Sequence, residues 1–399
     1  MSDDRISPVF PAPLRPEIES LETSKIHQVW ALGFGREDLI PLWVGEGDRP
    51  TPDFICEAAI AALRDGQTFY THKRGVPELR QALADYTNGL YGTAVAAERV
   101  TVTSSGMTGI MLTLQTIVRP GDNVAVVTPI WPNILSAVEI AGGTVRSVQL
   151  EARPDGGFHF DLQRLQDAID ERTRAVFIAS PGNPTGWVMT REEQRAVLDL
   201  CRARRLWLIA DEVYARFVYD GTTEGRRAAP SFLEIGEPED PLVVVGSFSK
   251  TWAMTGWRLG WLIHPPSLAE NYDRLIEFST SGAQAFLQQG CLAAVLDGEA
   301  YVADNIQRCR QGGELVFQRL SAFSRVRIAR PQGAFYAFFA VEGMADSLEF
   351  AKHVLQETGV GLTPGSAFGA GGEGHLRLCF ASSTARLSEA LDRLQPLLG

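Results

Sequence analysis

Six short apolar runs rich in β-branched residues punctuate the middle of the chain: VTVT at 100–103, VAVVT at 124–128, AVFIA at 175–179, LWLIA at 206–210, LVVVG at 242–246 and LGWLI at 259–263. Each is continuous rather than alternating, which predicts strands buried on both faces of a sheet. Between most of them lie segments with helical period and helical punctuation. Thr51 before Pro52 reads as an N-cap and first helical position closed by Gly66, and Thr190 with Glu193 reads as a capping box opening a helix to about Arg205. Strands alternating with helices predict an α/β fold whose large domain is a mostly parallel sheet sandwiched by helices.

Beyond about residue 290 the pattern changes. Helical stretches around FAKHVLQETG and STARLSEALDRLQPLL are interleaved with the strand-like pieces RVRIA, AFYAFFAV and HLRLCFA, which predicts a smaller α+β domain. A chain of 399 residues exceeds the size at which one core keeps growing. The expected division is 1–50 as an N-terminal arm and part of the small domain, 51–289 as the large domain, and 290–399 as the small C-terminal domain, which thus draws on both chain ends.

Apolar residues at 45% exclude a disordered chain, and a formal charge of −11 without a basic cluster argues against nucleic acid or an anionic membrane as partner. Five scattered cysteines, Cys56, Cys201, Cys291, Cys309 and Cys379, form no CxxC pair and have no His at ligand spacing, so reduced thiols and no metal site are expected. The opening MSDDRISPVFPAPLRPEIES is acidic and proline-bearing where a signal peptide needs a basic start and an apolar run. No stretch reaches the ~20 apolar residues of a membrane helix. A cytoplasmic protein acting on small polar metabolites is the expectation.

Open α/β sheets bind ligands beyond the carboxyl ends of their strands, so the residues after each run are the informative ones. After VTVT, Ser104-Ser105-Gly106-Met107-Thr108-Gly109 is a glycine-bearing turn that opens a helix, and its free N–H groups suit a phosphate. After VAVVT comes Trp131, after AVFIA the proline-fixed turn Ser180-Pro181-Gly182-Asn183-Pro184-Thr185-Gly186, and after LWLIA the sequence Asp211-Glu212-Val213-Tyr214. A carboxylate at the end of a buried strand calls for a partner such as a cationic ring nitrogen. After LVVVG comes Ser247-Phe248-Ser249-Lys250, with Arg258 eight residues on. Burial and neighbouring cations lower an amine's pKa there, and a neutral amine attacks an aldehyde.

Taken together, Ser247-Phe248-Ser249-Lys250 with Arg258, Asn183-Pro184-Thr185-Gly186 and Asp211-Glu212-Val213-Tyr214 resemble the class I aminotransferases of the aspartate aminotransferase superfamily, the type I fold of pyridoxal phosphate (PLP) enzymes. The resemblance runs from Gly45-Glu46-Gly47-Asp48 through Tyr70 to Arg80, Pro331 to Tyr336 and Leu376-Arg377-Leu378. It implies an enzyme that moves an amino group between a small L-amino acid and a 2-oxo acid in ping-pong half-reactions. Lys250 carries the PLP as an aldimine and shuttles the proton, Asp211 pairs with the ring nitrogen, and Asn183 and Tyr214 bond the ring hydroxyl oxygen. Trp131 stacks on the ring; Gly106, Met107, Thr108, Ser247, Ser249 and Arg258 hold the phosphate. Tyr70 reaches that phosphate from the second subunit of a homodimer with shared sites. Arg377 clamps the substrate α-carboxylate, helped by Asn183 and the Gly45 backbone.

Glu46-Gly47-Asp48 departs from the family's usual Glu-Pro-Asp, Ser180-Pro181-Gly182 from its Asn-rich lead, and Ser279 to Gln284 lacks its frequent asparagine. Arg49, Lys73 and Arg74 are candidates for a substrate's distal carboxylate, whereas Trp43, Phe34 and Phe335 are candidates to line an apolar pocket. The GxGxxG match at Gly369 to Gly374 precedes a strand rather than a helix, so a loop is expected there in place of a dinucleotide site. A sister PLP enzyme (lyase, synthase or oxidase) is the main alternative. A PLP-binding regulator is the other, and it lacks a DNA-binding pattern ahead of the large domain.

Overall fold

The computed structural model describes residues 14–219 and 227–399; most of the opening segment read against a signal peptide lies outside the described residues. Seven strands form the large sheet: β1 (Val100–Thr103), β2 (Asn123–Thr128), β3 (Thr144–Gln149), β4 (Thr173–Ala179), β5 (Trp207–Asp211), β6 (Leu242–Ser247) and β7 (Gly260–Ile263). Their spatial order is β1-β7-β6-β5-β4-β2-β3. Every pair is parallel except those of β7, which opposes both of its neighbours. Because β1 and β6 both oppose β7, the carboxyl ends of β1, β2, β4, β5 and β6 emerge along one edge.

All six apolar runs are strands, and neighbouring residues alternate between two cores. Val176, Leu208 and Val244 pack into a cluster on one face of the sheet, while Phe177, Ile209 and Val245 pack into a cluster on the other. β3 escaped the apolar pattern because, unlike the fully buried β1 at the opposite edge, it is an edge strand open to solvent: in TVRSVQ only Val148 is buried.

The helices that frame the site are α1 (Lys25–Leu32), α2 (Asp53–Arg64), α3 (Gly106–Ile117), α4 (Arg191–Arg204), α5 (Phe248–Thr251), α6 (Ala285–Asp297) and α7 (Glu299–Ser321). The capping box of α4 is present, with the Thr190 hydroxyl accepting from the Glu193 N–H at 3.2 Å and the Thr190 N–H donating to Glu193 at 2.7 Å. The start of α2 corrects the sequence reading: Asp53 is its first residue and Pro52 its N-cap. The Thr51 hydroxyl is instead engaged across the fold, donating to the Ala253 carbonyl at 2.6 Å and accepting from the Trp257 indole at 2.9 Å.

A second sheet, antiparallel throughout, has the order β8 (Val326–Arg327), β9 (Tyr336–Val341), β11 (His375–Cys379) and β10 (Thr363–Pro364). Only two residues of RVRIA are strand. The core beneath it joins Val29, Leu42 and Trp43 to Val316, Phe339, Leu376 and Leu391, so both chain ends build the smaller α+β unit. Helix α7 passes from one core to the other: Val302 belongs to the large core, Cys309 to the small one, and Ile306 touches both.

Gly246 of β6 faces Trp261 of β7 across the antiparallel pair, and a methyl group at Gly246 would overlap the indole ring. Gly246→Ala is expected to destabilise the protein by about 1–3 kcal/mol, the range of an overpacked core. Urea unfolding checks this, and adding Trp261→Val to the same chain should recover part of the loss.

Candidate active site

The carboxyl edge of the large sheet and the small domain enclose a cavity of about 330 Å³. Helix α5 begins directly at the end of β6, where the Ser247 hydroxyl caps it by accepting from the Ser249 N–H at 3.2 Å. This abrupt strand-to-helix turn sends Lys250 into the cavity, and its Nζ donates to the Gly45 carbonyl at 2.6 Å. Burial lowers the Lys250 pKa to about 8; Arg377 and Arg258 push the same way, against Cys379 and Glu46. Gly45 has no room for a side chain, which would displace the Tyr336 hydroxyl.

Asp211 closes β5 and points its carboxylate into the same cavity. Burial raises its pKa to about 6, opposed by the Val213 N–H that donates to it at 3.2 Å and by the charge of Lys250. Its neighbour Glu212 does not line this cavity; it accepts from the Phe232 N–H at 3.0 Å, and burial lifts it to about 7. Tyr214 follows on the turn, its buried hydroxyl 2.6 Å from that of Tyr336 and its ring 5.9 Å from the Lys250 Nζ. Burial holds the Tyr214 phenol well above its ordinary value.

Asn183, in the turn after β4, and Arg377, in the middle of β11, meet from opposite domains. The guanidinium donates to Asn183 at 2.9 Å, to the Thr363 hydroxyl at 3.1 Å and to the Trp43 carbonyl. Tyr336 and Phe368 cover it with ring centroids at 4.5 and 4.9 Å. Its buried Nε has no hydrogen-bond partner among the described residues.

At the other end of the cavity, Ser105 caps α3 by accepting from the Thr108 N–H at 3.0 Å. Gly106 and Met107 of that first turn line the cavity with Ser247, Ser249, Arg258 and Trp131. Arg258 sits in left-handed backbone, with φ of 57°, and donates to the Thr255 carbonyl at 2.6 Å. The cavity thus gathers Gly45, Gly106, Met107, Trp131, Asn183, Asp211, Tyr214, Ser247, Ser249, Lys250, Arg258 and Arg377. Two expected residues stand apart. The Thr108 hydroxyl turns to Ser105 and the Ser104 carbonyl, and Tyr70 lies on the surface, 90% exposed. Sequence reasoning gave no role to Tyr336, Thr363, Phe368 or the Trp43 carbonyl. Tyr336 stood inside a quoted motif, but Thr363 and Phe368 reach Arg377 only through packing and left no signal in the chain.

The donor set fits PLP. A buried carboxylate with no ion-pair partner among the described residues faces the cavity, which suits a protonated ring nitrogen. A helix N-terminus, two serines and an arginine form an anion cradle at one end. The Arg377 guanidinium lines the cavity as a further cation suited to an anion. These groups are costly without a ligand. For Asp211, whose folded pKa is raised, the associated stability is full below the unfolded value and is lost as pH rises through about 6. Asp211→Asn is therefore expected to stabilise the cofactor-free protein, by about 1 kcal/mol more near pH 7.5 than near pH 5, in urea unfolding at the two pH values.

Residues 37–394 match the family described as "Aminotransferase class I and II". The chain is similar to the aspartate aminotransferase of Thermotoga maritima, with 35% identity over 362 residues, 91% of this chain and 92% of the relative. It is equally similar to the aspartate/prephenate aminotransferase of Thermus thermophilus, at 35% over 365 residues and 91% of each. The solved structure of the Thermotoga maritima aspartate aminotransferase superposes with a TM-score of 0.89 at 33% identity, covering 96% of this chain and 100% of that one. On sequence and fold together, the chain belongs to the class I and II aminotransferase family.

Proposed function

We propose that this protein is a PLP-dependent aminotransferase that moves an amino group between a small L-amino acid and a 2-oxo acid, with the cofactor held on Lys250. The observation that carries this reading is the buried amine of Lys250 in one cavity with Asp211, Asn183, Arg258 and Arg377. Bound PLP supplies an electron sink for negative charge developing at the substrate Cα. Asp211 holds the ring nitrogen, Asn183 and Tyr214 hold the ring hydroxyl oxygen, and Trp131 packs on the ring face. The α3 N-terminus at Gly106 and Met107, with Ser247, Ser249 and Arg258, takes the phosphate, while Thr108 supports that first turn through Ser105. Arg377 grips the substrate α-carboxylate beside Asn183 and Gly45, fixing Cα near Lys250. The Lys250 amine, with its pKa lowered to about 8 by burial, then takes and returns the Cα proton near neutral pH. The relatives compared are named for amino-group transfer, which favours it over the lyase, synthase, oxidase and regulator readings.

We further propose a homodimer in which Tyr70 reaches the neighbour's phosphate site. Exposed Phe69, Tyr70 and Phe278, at 82%, 90% and 87%, support a buried position in a pair. The domain division at about 50 and 290 is likewise our reading, with α7 as the bridge. Five free cysteines support a reducing cytoplasm, and no helix among the described residues is long and apolar enough to cross a membrane.

Borohydride reduction of the holoenzyme should fix the cofactor on Lys250, and Lys250→Ala should lose both the label and at least about 10⁴-fold of transfer activity. Sustained release of ammonia without a 2-oxo acid acceptor would instead assign a lyase or oxidase. Tyr70→Ala and Lys250→Ala chains, co-expressed with separate tags, should regain about a quarter of wild-type activity, since half the dimers are mixed and each holds one intact site. Purified mixed dimers as inactive as both parents would remove Tyr70 from the neighbour's site.

A further inference from the structure

The cavity's charges are already committed. Among its described lining residues the cations are Lys250, Arg258 and Arg377. In the reading above, Lys250 serves the cofactor, Arg258 the phosphate and Arg377 the α-carboxylate. The three cations that sequence offered for a second carboxylate all turn elsewhere. Arg49 pairs with Asp304, Lys73 pairs with Glu277, and Arg74 donates to the Glu98 carbonyl at 2.9 Å. None of them lines the cavity. The other charged groups there are Asp211, given above to the ring nitrogen, and Glu46, a carboxylate that accepts from the Thr255 hydroxyl at 2.9 Å.

The backbone between the two anchors borders the substrate. The Trp43 carbonyl accepts from Arg377 and the Gly45 carbonyl accepts from Lys250. A substrate with its carboxylate on Arg377 and its Cα at Lys250 therefore spans residues 43–45. Val44 stands between those anchors and lines the cavity. Ile26 of α1 lines it too, packed on the Phe338, Ala367 and Phe368 cluster whose Phe368 ring covers Arg377.

We propose that this enzyme's substrate carries an uncharged, apolar side chain, received by Val44 and Ile26, and that dicarboxylic amino acids are poor substrates. A distal carboxylate would leave water for apolar walls, in a cavity that also holds the carboxylate of Glu46 and has no uncommitted cation among this chain's described lining residues. The inference rests on the aminotransferase reading and deepens it. It separates this chain from what its relatives' names suggest.

The test follows the cofactor absorbance of the holoenzyme after adding one amino acid and no 2-oxo acid: L-leucine, L-phenylalanine, L-aspartate, L-glutamate or L-lysine in turn. Leucine or phenylalanine should convert the cofactor with a kcat/KM at least about 10-fold above aspartate and glutamate. Aspartate or glutamate equal to or faster than both apolar substrates would overturn the proposal while leaving transamination intact, and would point to a cation from the second subunit. Lysine as the fastest substrate would also overturn it, assigning Glu46 to a cationic side chain. No conversion by any amino acid overturns both this inference and the reading beneath it. Val44 is 38% exposed, so an arginine there can reach water. Val44→Arg should raise aspartate relative to leucine by about 10-fold, and an unmoved ratio would remove Val44 from the side-chain subsite.

Discussion

Arg377 is held by three separate pieces of chain at once, and the geometry of the cavity depends on that grip. Its guanidinium is rooted in the small antiparallel sheet, donates to Asn183 at the end of a large-sheet strand, and donates again to the Trp43 carbonyl in the N-terminal segment. It is 2% exposed and lies between two aromatic rings. A buried charge is tolerated only when its donors are satisfied, so each partner has to stay in place for the others to be worth making. The same bonds that solvate Arg377 therefore fix the small domain against the carboxyl edge of the large sheet. One nitrogen, the buried Nε, has no hydrogen-bond partner among the described residues.

The rest of the cavity obeys the same economy of buried charge. Lys250 and Asp211 sit where water is excluded, and burial drives each toward its neutral form, the amine downward and the acid upward. A protein selected only for stability would replace both with apolar residues. Their presence at the ends of adjacent strands is comprehensible once a ligand supplies the missing opposite charges. Such a ligand stabilises the fold in proportion to how tightly it binds.

The side-chain end of the cavity follows a different rule. There the walls are apolar and Arg49, Lys73 and Arg74 are each engaged with a partner outside the cavity lining, so selectivity comes from what is withheld as much as from what is offered. A family fixes the reaction through groups at strand ends, whereas the side-chain subsite is assembled from α1 and the 43–45 segment and can vary without disturbing the chemistry.

The sequence by itself determined six strands of the large sheet, because their continuous apolar runs match strands buried on both faces. It also pointed to Lys250, Asp211 and Asn183, because chemistry at a parallel sheet lies at strand ends and those positions can be read in order along the chain, whereas Arg258 was reached through the family motif. What it left open belongs to contacts between distant segments. The edge strand β3 carries a polar pattern, and Thr51 caps nothing because its hydroxyl is taken by residues two hundred positions away. Arg377 could be named from its motif, but that Tyr336, Phe368 and Thr363 would enclose it was decided only when β9, β10 and β11 paired. Nor could the chain say that Arg49, Lys73 and Arg74 fall outside the lining of the cavity. A side chain's direction is set by the partners that three-dimensional packing brings to it, and in each of these cases a carboxylate or carbonyl outside the cavity won the cation.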